Sequence, residues 1–232
     1  MSYHYFISLA AILLLMSCKG SETDSQTDLV FDGISCTQVK EDLKNPTDFD
    51  QVVELVNALP KPLELSCFLY NFDPPFKIFA VDNEFSAQPS QGPDSPRILI
   101  IRDDFIVSVV PSGLGKDLIE FSKVTSSDQS IKGELAFPIT DQIPADKPYT
   151  EILENPEVMG SGTTCKTCHP ETHIGNNIYE STIFDPMPFQ RVPASQLQTG
   201  LTLCQKGVDT FRCNILKAVF SRGEVEDLPW PF

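Results

Sequence analysis

Cysteine placement constrains this chain more than any other feature: seven cysteines stand at positions 18, 36, 67, 165, 168, 204 and 213. What they can do depends on the compartment, and the first residues address that. Residues 1–17 contain no Asp, Glu, Lys or Arg, and the run from Phe6 to Met16 is almost wholly apolar. Such a run reaches about 16 Å as a helix, half of a ~30 Å hydrocarbon core, so it reads as the apolar region of a signal peptide rather than a membrane span. The mature chain is therefore expected outside the cytoplasm, where thiols oxidise.

The leader ends in Leu15-Met16-Ser17-Cys18, which resembles the lipobox of a bacterial lipoprotein. That resemblance implies a lipid on Cys18 and a membrane anchor. With Lys19 following the cysteine, it implies sorting to the outer membrane, facing the periplasm or the cell surface. An ordinary signal peptide cut near Cys18 is the alternative. Residues 18–33 then read as a polar, flexible tether between an acyl anchor and a folded body.

Six cysteines remain, an even number that reads first as disulfides. Cys36 and Cys67 lie in the N-terminal half, far from the others, and are expected to pair. Their loop of about 30 residues gives roughly 3–4 kcal/mol on a chain-entropy argument. Cys204 and Cys213 would be ~13.5 Å apart on one continuous helix, beyond the ~7 Å bridging limit. A helix break at Gly207 would let them meet.

Cys165-Lys-Thr-Cys168-His169 is a C-x-x-C-H string, and over these five residues the chain resembles c-type cytochromes. The resemblance implies a covalently attached haem c, with Cys165 and Cys168 forming thioethers and His169 serving as axial iron ligand. Of the methionines outside the leader, Met187 in Asp185-Pro-Met-Pro188 is the better second ligand, because its loop is long enough to cross to the other haem face. His173, four residues beyond His169, would project on the same side if that turn were helical, and reads as a surface residue.

Other readings of the same residues stay open. Cys165 and Cys168 could each bridge to Cys204 or Cys213, knitting a small stapled segment without a cofactor. Zinc could sit between Cys165, Cys168, His169 or His173, and Cys204 or Cys213. A redox-active dithiol is disfavoured because no βαβ pattern flanks the motif.

The rest of the chain supplies a scaffold. Net charge is −15 over 232 residues, with 41% hydrophobic residues. That apolar content excludes wholesale disorder, and the charge argues against nucleic acid while suiting a basic redox partner protein. Asn45–Leu59 has helical spacing. Leu63, Leu65, Cys67 and Leu69 alternate like a strand, and strands are expected over 76–81, 97–102, 105–110, 118–124 and 131–139. The expectation is an α+β fold. A β-rich sandwich or open barrel with one packed helix occupies 34–141, and its scattered charges read as solvated edges and turns. A Pro/Gly-rich connector over 142–164 leads to a small helical cysteine-rich segment, 165–232. There Ser195 and Asp209 are the candidate helix caps, and the apolar tail from Leu228 docks as a strap. No paired carboxylates at useful spacing and no Ser/His/Asp string suggest an enzyme. The expected function is a mono-haem c-type cytochrome-like envelope lipoprotein, for electron transfer or haem-based ligand binding. The alternative is a disulfide-stapled, cofactor-free lipoprotein with a binding or structural role.

Overall fold

A computed structural model of the chain describes residues 29–31, 34–158, 160–184, 189–204 and 209–230. The leader, Cys18, most of the tether, Met187 and Gly207 lie outside the described residues. The elements in order are β1 (Leu29–Phe31), β2 (Ile34–Cys36), α1 (Phe49–Ala58), α2 (Leu65–Leu69), β3 (Phe76–Asp82), β4 (Arg97–Arg102), β5 (Phe105–Val109), β6 (Leu118–Ser126), β7 (Gln129–Ala136) and α3 (Lys147–Glu151). They continue with β8 (Glu171–Gly175), β9 (Ile178–Thr182), β10 (Gln190–Arg191), α4 (Ala194–Thr202), α5 (Thr210–Phe220) and β11 (Val225–Asp227).

The fold is α+β, built on one open sheet in the order β10-β3-β4-β5-β6-β7-β9-β8, with β11 added parallel to β3. The turn at Asp103 and Asp104 joins β4 to β5, and Arg102 lies opposite Phe105. β1 and β2 form a separate ribbon, so residues 29–31, read as tether, are paired backbone. The segment from 165 onward was expected to be helical. It supplies α4 and α5, but its four strands also extend the sheet that residues 76–136 begin.

Alternation along the strands sends successive residues to opposite faces. One face carries Ile78, Ile98, Ile100, Phe105, Val107, Ile119, Phe121 and Leu135, packed with the residues that α1, α2 and α5 bury. Aromatic rings lock this layer: Phe49 meets Phe105 edge-on at 5.6 Å, and Phe68 meets Phe121 at 6.2 Å. The other face carries a smaller cluster of Phe79, Val81, Leu99, Ile101 and Ile106, with Phe189, Leu228 and Trp230 against it. β5 is buried throughout, as its near-continuous apolar run suggested.

Three local readings change. α1 begins at Phe49, because Asp48 accepts from the Gln51 amide at 2.8 Å while the Gln51 carboxamide receives the Thr47 amide. Leu63–Leu69 is not a strand: Leu65–Leu69 is a helical turn buried on every side, and an apolar run so enclosed carries no usable periodicity. α4 starts at Ala194 with Pro193 at the cap position instead of Ser195, and the Ala194 amide donates to Asp227 on β11 at 3.2 Å. Asp209 does cap α5, accepting from the Arg212 amide at 3.3 Å. The tail docks as a strap: the Leu228 amide donates to the Ile78 carbonyl at 2.8 Å, and Trp230 meets Phe79 at 5.4 Å. Among the described residues no helix is long and apolar enough to cross a membrane.

Two disulfides fasten this arrangement. Cys36–Cys67, 31 residues apart, ties β2 to α2, and Cys204–Cys213, nine apart, ties the end of α4 to α5. Asn71 reinforces the first: its carboxamide accepts from the Val39 amide and donates to the Cys67 and Thr37 carbonyls.

Candidate functional site

Beyond β7 the chain doubles back over the smaller sheet face. Gly162 takes φ +91, a left-handed value that glycine adopts without strain, and its amide donates to the Tyr179 hydroxyl at 3.1 Å. Thr163 follows, held by Glu171 of β8 through its amide at 2.9 Å and its hydroxyl at 2.7 Å. The Thr163 hydroxyl then caps a single 3-10 turn, Thr164–Thr167, by accepting from the Cys165 amide. Both the Cys168 and His169 amides donate to the Cys165 carbonyl, at 3.0 and 2.9 Å. This turn brings Cys165, Cys168 and His169 to the wall of one cavity of about 340 Å³.

Both thiols are free, Cys165 half-buried and Cys168 exposed. The alternative in which they bridge to Cys204 or Cys213 is thereby overturned, since those two are bonded to each other. The same bond removes the fourth ligand that the zinc reading needed. Among the described residues, no group of three or more His, Cys, Asp or Glu side chains is placed to hold a metal ion. Burial, and next the charge of Glu120, push the Cys165 thiol up to about 11, so it stays protonated at neutral pH. A redox-active dithiol needs the opposite shift.

His169 is fixed on two sides. Its Nδ1 lies 2.7 Å from the Thr182 carbonyl, and its ring stacks on Phe184 at 5.2 Å. A carbonyl only accepts, so Nδ1 carries the proton and the Nε2 lone pair is left for a metal. Burial lowers the imidazole pKa, with smaller opposing help from the Thr182 bond, and this favours the neutral, ligating form. His173 lies on β8, not on a helical turn, and packs against Tyr179 at 4.8 Å. Met187 falls outside the described residues.

The sheet supplies the cavity floor. On the β3–β4 side Phe79, Val81 and Leu99, with Phe189 and Trp230, make the lining apolar apart from Arg97; β5 contributes Ile106 and Ser108, and β6 and β7 contribute Glu120, Ser122, Ser130 and Lys132. Cross-strand register gathers the polar set, because Ser108 lies opposite Glu120, Ser122 opposite Lys132, and Glu120 opposite Glu134. Arg97 ion-pairs with Glu120 and donates to Ser108 at 2.7 Å and Ser86 at 2.8 Å. Ser108 in turn donates to Gln88 at 2.8 Å, pinning the long loop after β3. Lys132 donates to Ser122 at 2.6 Å, and burial lowers its pKa. Glu134 is pushed up to about 8, by burial first and by Glu120 and Glu151 after it, so it is protonated at neutral pH.

Sequence reasoning located the C-x-x-C-H turn but read Arg97, Glu120 and Lys132 as solvated charges. The available signal was that Glu120 and Lys132 sit at alternate positions within apolar strands. Their convergence depends on register, which is non-local. Compared with family profiles, curated proteins and solved structures, the chain matches none.

Proposed function

We propose that this chain is a mono-haem c-type cytochrome-like envelope lipoprotein, with haem c attached through Cys165 and Cys168 and held by His169. The observation that carries the reading is the meeting of these three side chains on one cavity. Both thiols are unbridged and the imidazole has its Nε2 lone pair to spare. The cavity falls in the size range of small-molecule and cofactor sites, and its apolar end suits a flat macrocycle. When bound, the haem would supply one-electron chemistry or an iron site for a small ligand.

The chain's own residues would do the rest. Thr182 fixes the His169 tautomer and raises its basicity as a ligand. Phe184 limits rotation of the ring, and Phe79, Leu99 and Trp230 exclude water from one side of the cavity. Two disulfides suit an oxidising compartment, which supports secretion through the leader; Cys18 would then be the anchor. A formal charge of −15 would steer the protein to a basic redox partner, with on-rates that fall as salt rises.

The test is expression of the full chain with c-type maturation machinery, followed by a haem stain after denaturing electrophoresis. Wild type should stain. Cys165→Ala/Cys168→Ala should not, and His169→Ala should lose or shift the Soret band. A colourless wild-type protein that keeps both disulfides would overturn the reading in favour of a cofactor-free stapled lipoprotein.

A further inference from the structure

In a chain of net charge −15, the charged side chains on the cavity wall among the described residues are Arg97, Glu120 and Lys132, two cations to one anion. Arg97 is neutralised by Glu120 and also donates to Ser108 and Ser86. Lys132 forms no ion pair among the described residues and holds only the Ser122 hydroxyl. The ammonium of this half-buried side chain has Glu120 as its neighbouring opposite charge, and that carboxylate is already paired with Arg97, so a ligand carboxylate would offset the remaining desolvation cost. On the same wall the Ser130 hydroxyl is buried without a hydrogen-bond partner, a second donor for an incoming oxygen.

We propose that Lys132 is the anion-holding residue of this cavity, receiving a carboxylate of an amphipathic ligand whose apolar body lies against Phe79, Leu99 and Trp230. The inference rests on the haem reading for its ligand, where the carboxylate is a porphyrin propionate. The shared chemistry, a carboxylate on an apolar body, is also that of a fatty acid. Polar and apolar ends of one sheet face then have distinct tasks: the strand residues orient the ligand, while the C-x-x-C-H turn fastens it.

Trp230 is the chain's single tryptophan and lines the cavity, so quenching of its fluorescence reports binding directly. The full chain, produced without attachment machinery, is titrated with haemin, with haemin dimethyl ester and with oleate. Lys132→Met is compared with Lys132→Arg and with Lys77→Met, an exposed lysine whose loss changes net charge equally. A charge-assisted carboxylate contact gives about ten- to hundredfold in affinity. Wild type and Lys77→Met should therefore prefer haemin to its ester by about tenfold or more. Lys132→Met should erase that preference, and Lys132→Arg should keep part of it. Haemin binding with the same ester discrimination in Lys132→Met would overturn the role of Lys132 and leave the haem reading standing. Oleate binding that depends on Lys132, with no haemin binding, would overturn the haem reading and keep the anion role. Binding of none of the three would overturn both.

Discussion

The two faces of the sheet are made by the same strands and have opposite characters. On the helix face, Ile98, Ile100, Val107, Ile119 and Phe121 meet α1, α2 and α5 with essentially no exposed surface. On the other face, one residue along each strand, Leu99 and Ile106 share space with Ser108, Glu120, Ser122 and Lys132 around a cavity. The helix face keeps charge to its edge, where Arg102 lies over the Phe72 ring and Arg222 over Tyr70. The cavity face holds an ion pair, a lysine and, next to Glu120, a buried Glu134. The first arrangement maximises apolar burial. The second gives up close packing and desolvates ionisable groups, a cost that makes sense where a ligand fills the space.

The largest expected contrast is truncation on each face. Phe121→Ala removes a ring in contact with Phe49, Phe68 and Phe105 and should cost about 3–5 kcal/mol in urea unfolding. Leu99→Ala opens onto existing space and should cost under about 2 kcal/mol, because little new void is created. Equal losses would break the comparison.

Next comes pH. Glu134 has a folded pKa of about 8, above its ordinary value of 4.5. Its contribution is therefore fully present below about pH 4.5 and is lost as pH rises through about 8. Glu134→Gln keeps a neutral side chain at every pH. It should flatten the fall in melting temperature between about pH 5 and pH 8, with a gain of a few kcal/mol at the alkaline end. A wild-type melting curve flat over that window would contradict the burial cost assigned to the cavity face.

The smallest effect is in overpacking. Val107 and Ile106 are neighbours on opposite faces. Val107→Phe should cost about 1–3 kcal/mol, whereas Ile106→Phe should be nearly neutral for folding and should hinder ligand entry. Paired chemical denaturation of the two variants checks this.

What was legible in the chain follows from range. The hairpin of β4 and β5, the span of β3 and the cap at Asp209 depend on neighbours in sequence and could be read there. So could the C-x-x-C-H turn, whose backbone bonds close within five residues. α2 could not, because a segment buried on every side has no polar stripe to mark its period. Nor could the start of α4, whose Ala194 amide donates to Asp227, 33 residues on. The polar floor of the cavity was the hardest part to read, since Arg97, Glu120 and Lys132 are brought together only by strand register.

The most direct test of the central claim is intact mass of the purified protein after thiol alkylation under denaturing, non-reducing conditions. If Cys165 and Cys168 carry a porphyrin, the chain matured with c-type machinery is heavier by one haem and takes up no label at either position. Two labelled thiols at those positions, with no added haem mass, would contradict it.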